Sequence, residues 1–248
     1  MINPPLMHNP LHSIAIVIPV LDPDKKLRML IRELRKYCSN PVIVVNDGSR
    51  TECLPLFEEL AAGFPELTVL HHKNNQGKGC ALKTAFLHYL EHWPDGTGTV
   101  CCDADGQHPA EDVVRGIREL SEHPECLVLG CRDFSGQGIP EKCRWGNIMT
   151  GNVLEMILKR KFADTQTGLR GVPRDFMAKL LELSGARYEF ETLMLLTAAE
   201  TGRTIIEYPI RTIYQESNRG SHFKPVTDSL RICASILKHM LSSRKTNR

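Results

Sequence analysis

The sequence has no C-x-x-C pair, and its nine cysteines are an odd number. Neither a zinc ribbon nor a closed disulfide framework is built that way, so reduced thiols are the expectation. A dominant charge sign is also missing, since 31 lysines and arginines stand against 29 aspartates and glutamates, a formal net charge of +2. That balance removes the electrostatic case for nucleic acid as a partner. No apolar run approaches the roughly 18 residues needed to cross a bilayer. The opening Met1-Ile2-Asn3-Pro4-Pro5 lacks the basic-then-apolar order of a signal peptide. The expectation is therefore a cytoplasmic protein.

What is present is ordinary for a globular chain: 42% hydrophobic and 24% charged residues in 248, enough to bury one sizeable core. Positive charge gathers only late, at Arg211, Arg219, Lys224, Arg231, Lys238, Arg244, Lys245 and Arg248. Ile14 to Val20 and Val42 to Val45 are short β-branched apolar runs that end in turn residues, which predicts strands buried on both faces. Leu27, Leu30, Ile31 and Leu34 recur between them at helical spacing, completing a strand–helix–strand unit of a parallel sheet. The pattern repeats with strands at Leu67 to Leu70, Thr99 to Cys102 and Leu127 to Gly130, and with helices at Gly79 to Tyr89 and after Pro109. Further helices are predicted at Gly146 to Leu158, Arg174 to Leu183 and Phe190 to Glu200, and a last strand at Thr204 to Ile210.

Polar residues follow three of the strands: Asp22, then Asn46-Asp47-Gly48-Ser49, then Asp103-Ala104-Asp105. In open parallel sheets ligands bind outside the carboxyl ends of strands, so these loops should converge on one crevice. Asp103 and Asp105 could share a hard divalent cation there, with diphosphate oxygens completing its shell. By spacing alone, an acidic turn explains them equally well. Lys78 sits between Gly77 and Gly79, but without the spaced upstream glycine and the following Ser or Thr of a P-loop.

The wider context resolves the acidic pair. Asp103-Ala104-Asp105-Gly106-Gln107-His108-Pro109 resembles the family 2 glycosyltransferases of the GT-A fold, in the branch of dolichyl-phosphate mannose and polyprenyl-phosphate glucose synthases. Further strings match in order: Val44 to Ser49, Asn75 to Leu82, Gly130-Cys131-Arg132, Asp164 to Arg170 and Tyr188 to Glu191. Together they span roughly residues 14 to 232. The resemblance implies an α/β, Rossmann-like GT-A fold with a mostly parallel central sheet flanked by helices. It would form one domain, with a nucleotide-sugar half at about 14–130, an acceptor half at about 131–225 and an amphipathic C-terminal helix at about 226–242.

It also implies roles. Pro19, Leu21 and Asp22 would face the nucleotide, and Asp47 would accept from a base N–H. The first loop is Pro19-Val20-Leu21-Asp22-Pro23 where the branch often has an aromatic residue and Asn-Glu, so the resemblance does not extend to base stacking there. Asp103 and Asp105 would hold Mg²⁺ or Mn²⁺ and the diphosphate, with Ala104 beside them and Gln107 as a ligand or a support. Lys78 would reach a phosphate or buttress its loop. Arg132 and Arg144 would lie around phosphates or acceptor, and Asp164, Glu189 and Glu191 would border the acceptor side. Capping of a helix start explains the two glutamates as well. Gly168 would allow close backbone approach. Arg219 and His222, in Asn218 to Pro225, would fold over the donor diphosphate.

The reaction implied is inverting transfer of a hexose from a UDP- or GDP-sugar to a polyprenyl phosphate at the cytoplasmic face of a membrane. A soluble or protein-bound hydroxyl acceptor is the rival, and a catalytically inactive GT-A binding domain is the non-enzymatic one. A sugar-nucleotide pyrophosphorylase would show a glycine- and arginine-rich loop after the first strand, which is missing here. The stripe Leu230, Cys233, Ile236, Leu237, Met240 and Leu241, with its basic neighbours, could lie on an anionic membrane or pack on protein. Many relatives carry a membrane-spanning portion, which leaves room for a separate membrane partner.

Overall fold

The structure is a computed structural model that describes residues 13–134, 141–211, 231, 232 and 234–239. In chain order its elements are β1 Ile14–Val20, α1 Lys25–Tyr37, β2 Val42–Asn46, α2 Leu54–Gly63, β3 Leu67–His71, α3 Lys78–His92, β4 Gly98–Cys101 and α4 Ala110–Glu122. There follow β5 Leu127–Arg132, α5 Glu141–Leu158, β6 Arg170–Pro173, α6 Arg174–Leu181, α7 Glu189–Glu200 and β7 Ile205–Ile210.

The alternation of side chains along β1 divides the core in two. Ile14, Ile16 and Ile18 pack with Leu27, Ile31 and Leu34 of α1 and Val113, Ile117 and Leu120 of α4. Ala15 and Val17 pack on the other face with Ala81, Ala85 and Phe86 of α3 and Phe190, Leu193 and Met194 of α7. Both faces of the strand are thus covered, which is why its sequence is an unbroken apolar run. The helix α1 starts where Asp24 accepts a hydrogen bond from the Lys26 N–H at 2.8 Å.

The seven strands lie in the order β3-β2-β1-β4-β6-β5-β7. All neighbouring pairs are parallel except those of β6, which runs antiparallel to β4 and β5. The expected mostly parallel sheet with flanking helices is therefore the observed one. The antiparallel β6 and the helix α2 are additions to the sequence reading. Reversal of β6 matters for the site: it pairs Arg170 with Cys101, so the residues before β6 arrive at the carboxyl end of β4.

The described part of the C-terminal helix rests on the domain. Ile232 and Ile236 are buried in the same cluster as Leu195 and Leu196 of α7, and His239 meets Glu200 at 2.8 Å. Leu237 points outward. Leu230, Cys233, Met240 and Leu241 lie outside the described residues. Among the described residues no helix is long and apolar enough to cross a membrane.

Candidate active site

The loops after β1 and β2 clasp each other. Asp22, in the left-handed region at φ +49°, donates its N–H to Ser49 Oγ at 2.9 Å. Its carboxylate accepts from the Arg50 N–H at 2.9 Å and faces Arg50 Nε at 3.2 Å. Pro19, Leu21 and Ala104 are half-buried near these strand ends, with Ala104 packed against the core.

Asp47 is placed differently from expectation. Its Oδ1 accepts from the Gln76 N–H at 2.9 Å and meets His72 Nδ1 at 2.7 Å, while Oδ2 accepts from the Gly77 N–H at 2.8 Å. The residue is 4% exposed, and three protein groups already meet its carboxylate. Its observed work is to shape the turn before α3. His72 continues the chain to Thr84 Oγ1 at 2.9 Å.

That turn delivers Lys78 inward. Gly77 has φ +104°, and a Cβ there would lie 2.5 Å from the Ala186 carbonyl oxygen, so no other residue fits. Lys78 Nζ sits 2.6 Å from Asp103 Oδ1 and 2.9 Å from Glu191 Oε1. Burial works against its charge, but the two carboxylates outweigh that and raise its pKa. Asp103 responds in kind: partial burial alone would raise it, yet the Lys78 ammonium and His108 hold its carboxyl well below the usual range. His108 Nε2 stands 3.5 Å from Asp103 Oδ2, and its buried Nδ1 has no hydrogen-bond partner among the described residues.

Asp105 has the opposite environment. Burial, and then the charge of Asp103, push its carboxyl up. Gln107 orients it, donating its backbone N–H at 3.0 Å and Nε2 at 2.7 Å. Among the described residues no cation is paired with Asp105. Three carboxylates, Asp103, Asp105 and Glu191, against the Lys78 ammonium and the buried Arg170 guanidinium beside Glu191 leave one formal negative charge. Among the described residues no three Asp, Glu, His or Cys side chains converge to hold an ion by themselves, so the two loop carboxylates fit a hard divalent ion only as part of a shell that phosphate or water oxygens complete.

The segment before β6 packs directly on this cluster. A Cβ at Gly168 would lie 2.1 Å from Asp103 Oδ2, so the bare backbone at 168 is what leaves room for the carboxylate. Arg170, 1% exposed, donates to the carbonyls of Thr167 at 2.8 Å and Thr165 at 3.1 Å, and also to that of Glu191. It thereby ties this loop to α7. Asn147 of α5 accepts from the Thr165 N–H and hydroxyl, each at 2.9 Å.

Several expected site residues are engaged elsewhere. Asp164 is fully buried and takes a fork from Arg132, Nε to Oδ2 at 2.5 Å and Nη2 to Oδ1 at 3.0 Å, plus the Gln166 N–H at 3.0 Å. A carboxylate without exposed surface touches no substrate in this state, and the pair ties the end of β5 to the segment before β6. Glu189 Oε1 accepts from the N–H groups of Ala186 and Arg187 at 3.0 and 3.1 Å, the capping role its place at a helix start allows. Arg144 is exposed on α5. Arg219, His222 and Lys224 lie outside the described residues. The structure thus unites Asp103, Asp105, Gln107, Lys78 and Glu191, and adds His108 and Arg170, to which sequence reasoning assigned no role. Arg170 carried one signal, the lone charge in the otherwise uncharged stretch Thr165 to Pro173.

The sequence profile of glycosyl transferase family 2 matches residues 15–180. Over 221 residues the chain is 26% identical to the UDP-N-acetylglucosamine–dolichyl-phosphate N-acetylglucosaminyltransferase of Methanococcus voltae, covering 82% of this chain and 86% of that one. It is 25% identical over 217 residues to the polyprenol monophosphomannose synthase of Mycolicibacterium smegmatis, covering 83% and 79%. Among solved structures it resembles glucosyl-3-phosphoglycerate synthase from Mycobacterium tuberculosis in complex with Mn²⁺, UDP and glucosyl-3-phosphoglycerate. There the TM-score is 0.65 at 16% identity, over 96% of this chain and 85% of that one. The shared fold is GT-A.

Proposed function

Because this chain belongs to glycosyl transferase family 2, we propose that it moves a hexose from a UDP- or GDP-sugar to a polyprenyl phosphate, with inversion, at the cytoplasmic face of a membrane. Two relatives that each align with more than four fifths of the chain are named for lipid-phosphate acceptors, and they support that substrate class. The observation that carries the reading is the commitment of the acceptor-side acids. Asp164 is closed by Arg132, Glu189 caps a turn and Glu191 is paired with Lys78. A hydroxyl acceptor would call for a general base poised near neutral pH. A phosphate monoester, with a second pKa of about 6, is already anionic and needs placement rather than deprotonation.

In the reaction an acceptor phosphate oxygen forms the bond to the anomeric carbon as the bond to the nucleotide diphosphate breaks, the electron pair leaving with the diphosphate. Asp103 and Asp105 would hold Mg²⁺ or Mn²⁺, which when bound supplies Lewis-acid stabilisation of the leaving diphosphate. Lys78 keeps Asp103 ionised and in place, and Gln107 orients Asp105. Gly168 lets the backbone lie against Asp103, excluding water from that side. Glu191 anchors the other end of the Lys78 bridge to α7.

The test is to incubate the protein with radiolabelled UDP- and GDP-sugars, Mg²⁺ or Mn²⁺, and polyprenyl phosphate, then partition the products. Label in the organic phase is expected. Label confined to water-soluble glycosides would overturn the lipid acceptor, and no metal-dependent transfer or hydrolysis from any donor would overturn the enzymatic reading.

A further inference from the structure

We propose that His88 and His92, near the end of α3, form a second metal site that takes a borderline divalent ion such as Zn²⁺. It stands apart from the Asp103 and Asp105 cluster and does not depend on the acceptor proposed above.

Residues four apart on a helix lie one above the other on the same face. The two imidazole rings are 4.0 Å apart between centroids, with 32° between their planes. Nitrogens that share one zinc at about 2.0–2.1 Å in tetrahedral geometry lie roughly 3.3 Å apart. His88 is half-buried and His92 exposed, so a small rotation of the His92 ring brings the pair onto one ion.

The hydrogen bonding leaves the ligating atoms free. His92 Nδ1 lies 2.8 Å from the His88 carbonyl oxygen. A carbonyl only accepts, so Nδ1 carries the proton and the lone pair of the neutral ring is on Nε2. A ring that gives one N–H to a carbonyl and keeps its other nitrogen free is the usual form of a metal-ligating histidine. Among the described residues no hydrogen-bond partner meets His92 Nε2 or either ring nitrogen of His88. Burial, and then the neighbouring His92, lower the His88 pKa, which favours the neutral form that a metal needs.

The surroundings hold the pair in place. Trp93 lies against both rings, 6.0 Å from His88 and 6.1 Å from His92 between centroids, and stacks on the buried Tyr89 at 5.4 Å. Arg174 donates to the carbonyls of Trp93 at 3.1 Å and Leu90 at 3.3 Å, fixing the helix end. Ligands ordered beforehand lose little freedom on binding. Imidazole suits zinc, whereas the carboxylates of the catalytic cluster suit Mg²⁺ or Mn²⁺. Among the described residues no third His, Cys, Asp or Glu joins the pair, so water fills the remaining positions. At about 1.5 Å per residue, the span from Lys78 to His92 sets the ion roughly 20 Å along α3 from the acidic cluster. There it braces the helix end from which Tyr89 accepts the Gly98 N–H at 3.0 Å, at the start of β4.

The test titrates zinc into the full chain, isotope-labelled at the histidine nitrogens, with excess Mg²⁺ present for the catalytic cluster. The imidazole signals of His88 and His92 should move together and saturate at one ion per chain, and the melting midpoint should rise with zinc. Mg²⁺ alone should leave both signals in place. His88→Asn and His92→Asn should each weaken zinc binding at least about tenfold, with the zinc-free melting midpoint of the parent. If His88→Asn melts lower, the exposed His92→Asn and the spectra of the parent decide. Histidine signals that stay in place through millimolar zinc would overturn the proposal. So would signals that move independently of each other, or a folded His92→Asn that binds zinc like the parent.

Discussion

Asp103 is held on three sides by Lys78, His108 and the Gly168 backbone, so small changes around it have predictable costs. A methyl group at position 168 would overlap the carboxylate, which must move by an ångström or more. Misplacement on that scale can cost about a hundredfold in rate. Gly168→Ala is therefore expected to lose roughly that much turnover while the melting midpoint stays close to the parent, as a transfer assay and a thermal melt would show. The two neighbouring glutamates separate cleanly. Glu191→Gln removes a charge from the Lys78 bridge and should depress turnover. Glu189→Gln weakens only a cap, costing about 1 kcal/mol of stability with turnover retained. Equal loss of activity in both variants would contradict the assignment of Glu189 to the turn.

At the scale of elements, β6 shows what local sequence could and could not convey. The strands β1, β2, β4 and β5 were legible because burial on both faces demands continuous apolar runs. Arg170-Gly171-Val172-Pro173 has no such run, yet it is a central strand. Arg170 belongs there only because carbonyls from 165, 167 and 191 surround its guanidinium, an arrangement made by parts of the chain far apart in sequence. The same reason hid half of the site. Asp103, Asp105 and Gln107 were legible as a string, whereas the Lys78–Glu191 pairing and the closure of Asp164 by Arg132 depend on the assembled sheet. Arg170→Met strands three buried carbonyls. At about 1 kcal/mol or more for each, it should lower stability by at least about 3 kcal/mol. For a chain of this size that is roughly 6 to 12 °C in melting midpoint.

Over the whole molecule, the sheet separates two apolar layers, and the thiols report on their integrity. Burial pushes the Cys101 thiol up to about 12, and it holds Cys102 well above its ordinary value. Cys126 is pushed up to about 11 by burial and by Glu125. A raised thiol pKa keeps the group protonated below that value, and the protonated thiol is the unreactive form. At pH 8 Cys101, Cys102 and Cys126 should therefore resist a thiol reagent in the native state and react on unfolding. Mass-spectrometric mapping of labelled cysteines would check this, and fast native labelling of Cys102 would contradict the packing of β4.

The strand order also governs how the molecule can be assembled. Within the sheet β5 is bonded only to β6 and β7, whereas β3, β2, β1 and β4 form a block from residues 14–101. A chain emerging from the ribosome can therefore join its first four strands early, but β5 has no partner until residue 170 and beyond have appeared. Asp103 consequently spends much of synthesis without the loop that will press against it, and the site comes into being as one of the last events of folding. Chains cut after residue 140 and held on the ribosome by an unstructured tether long enough to clear the exit tunnel should then show a protected first block and a protease-sensitive β5, and protection of β5 in them would refute this order.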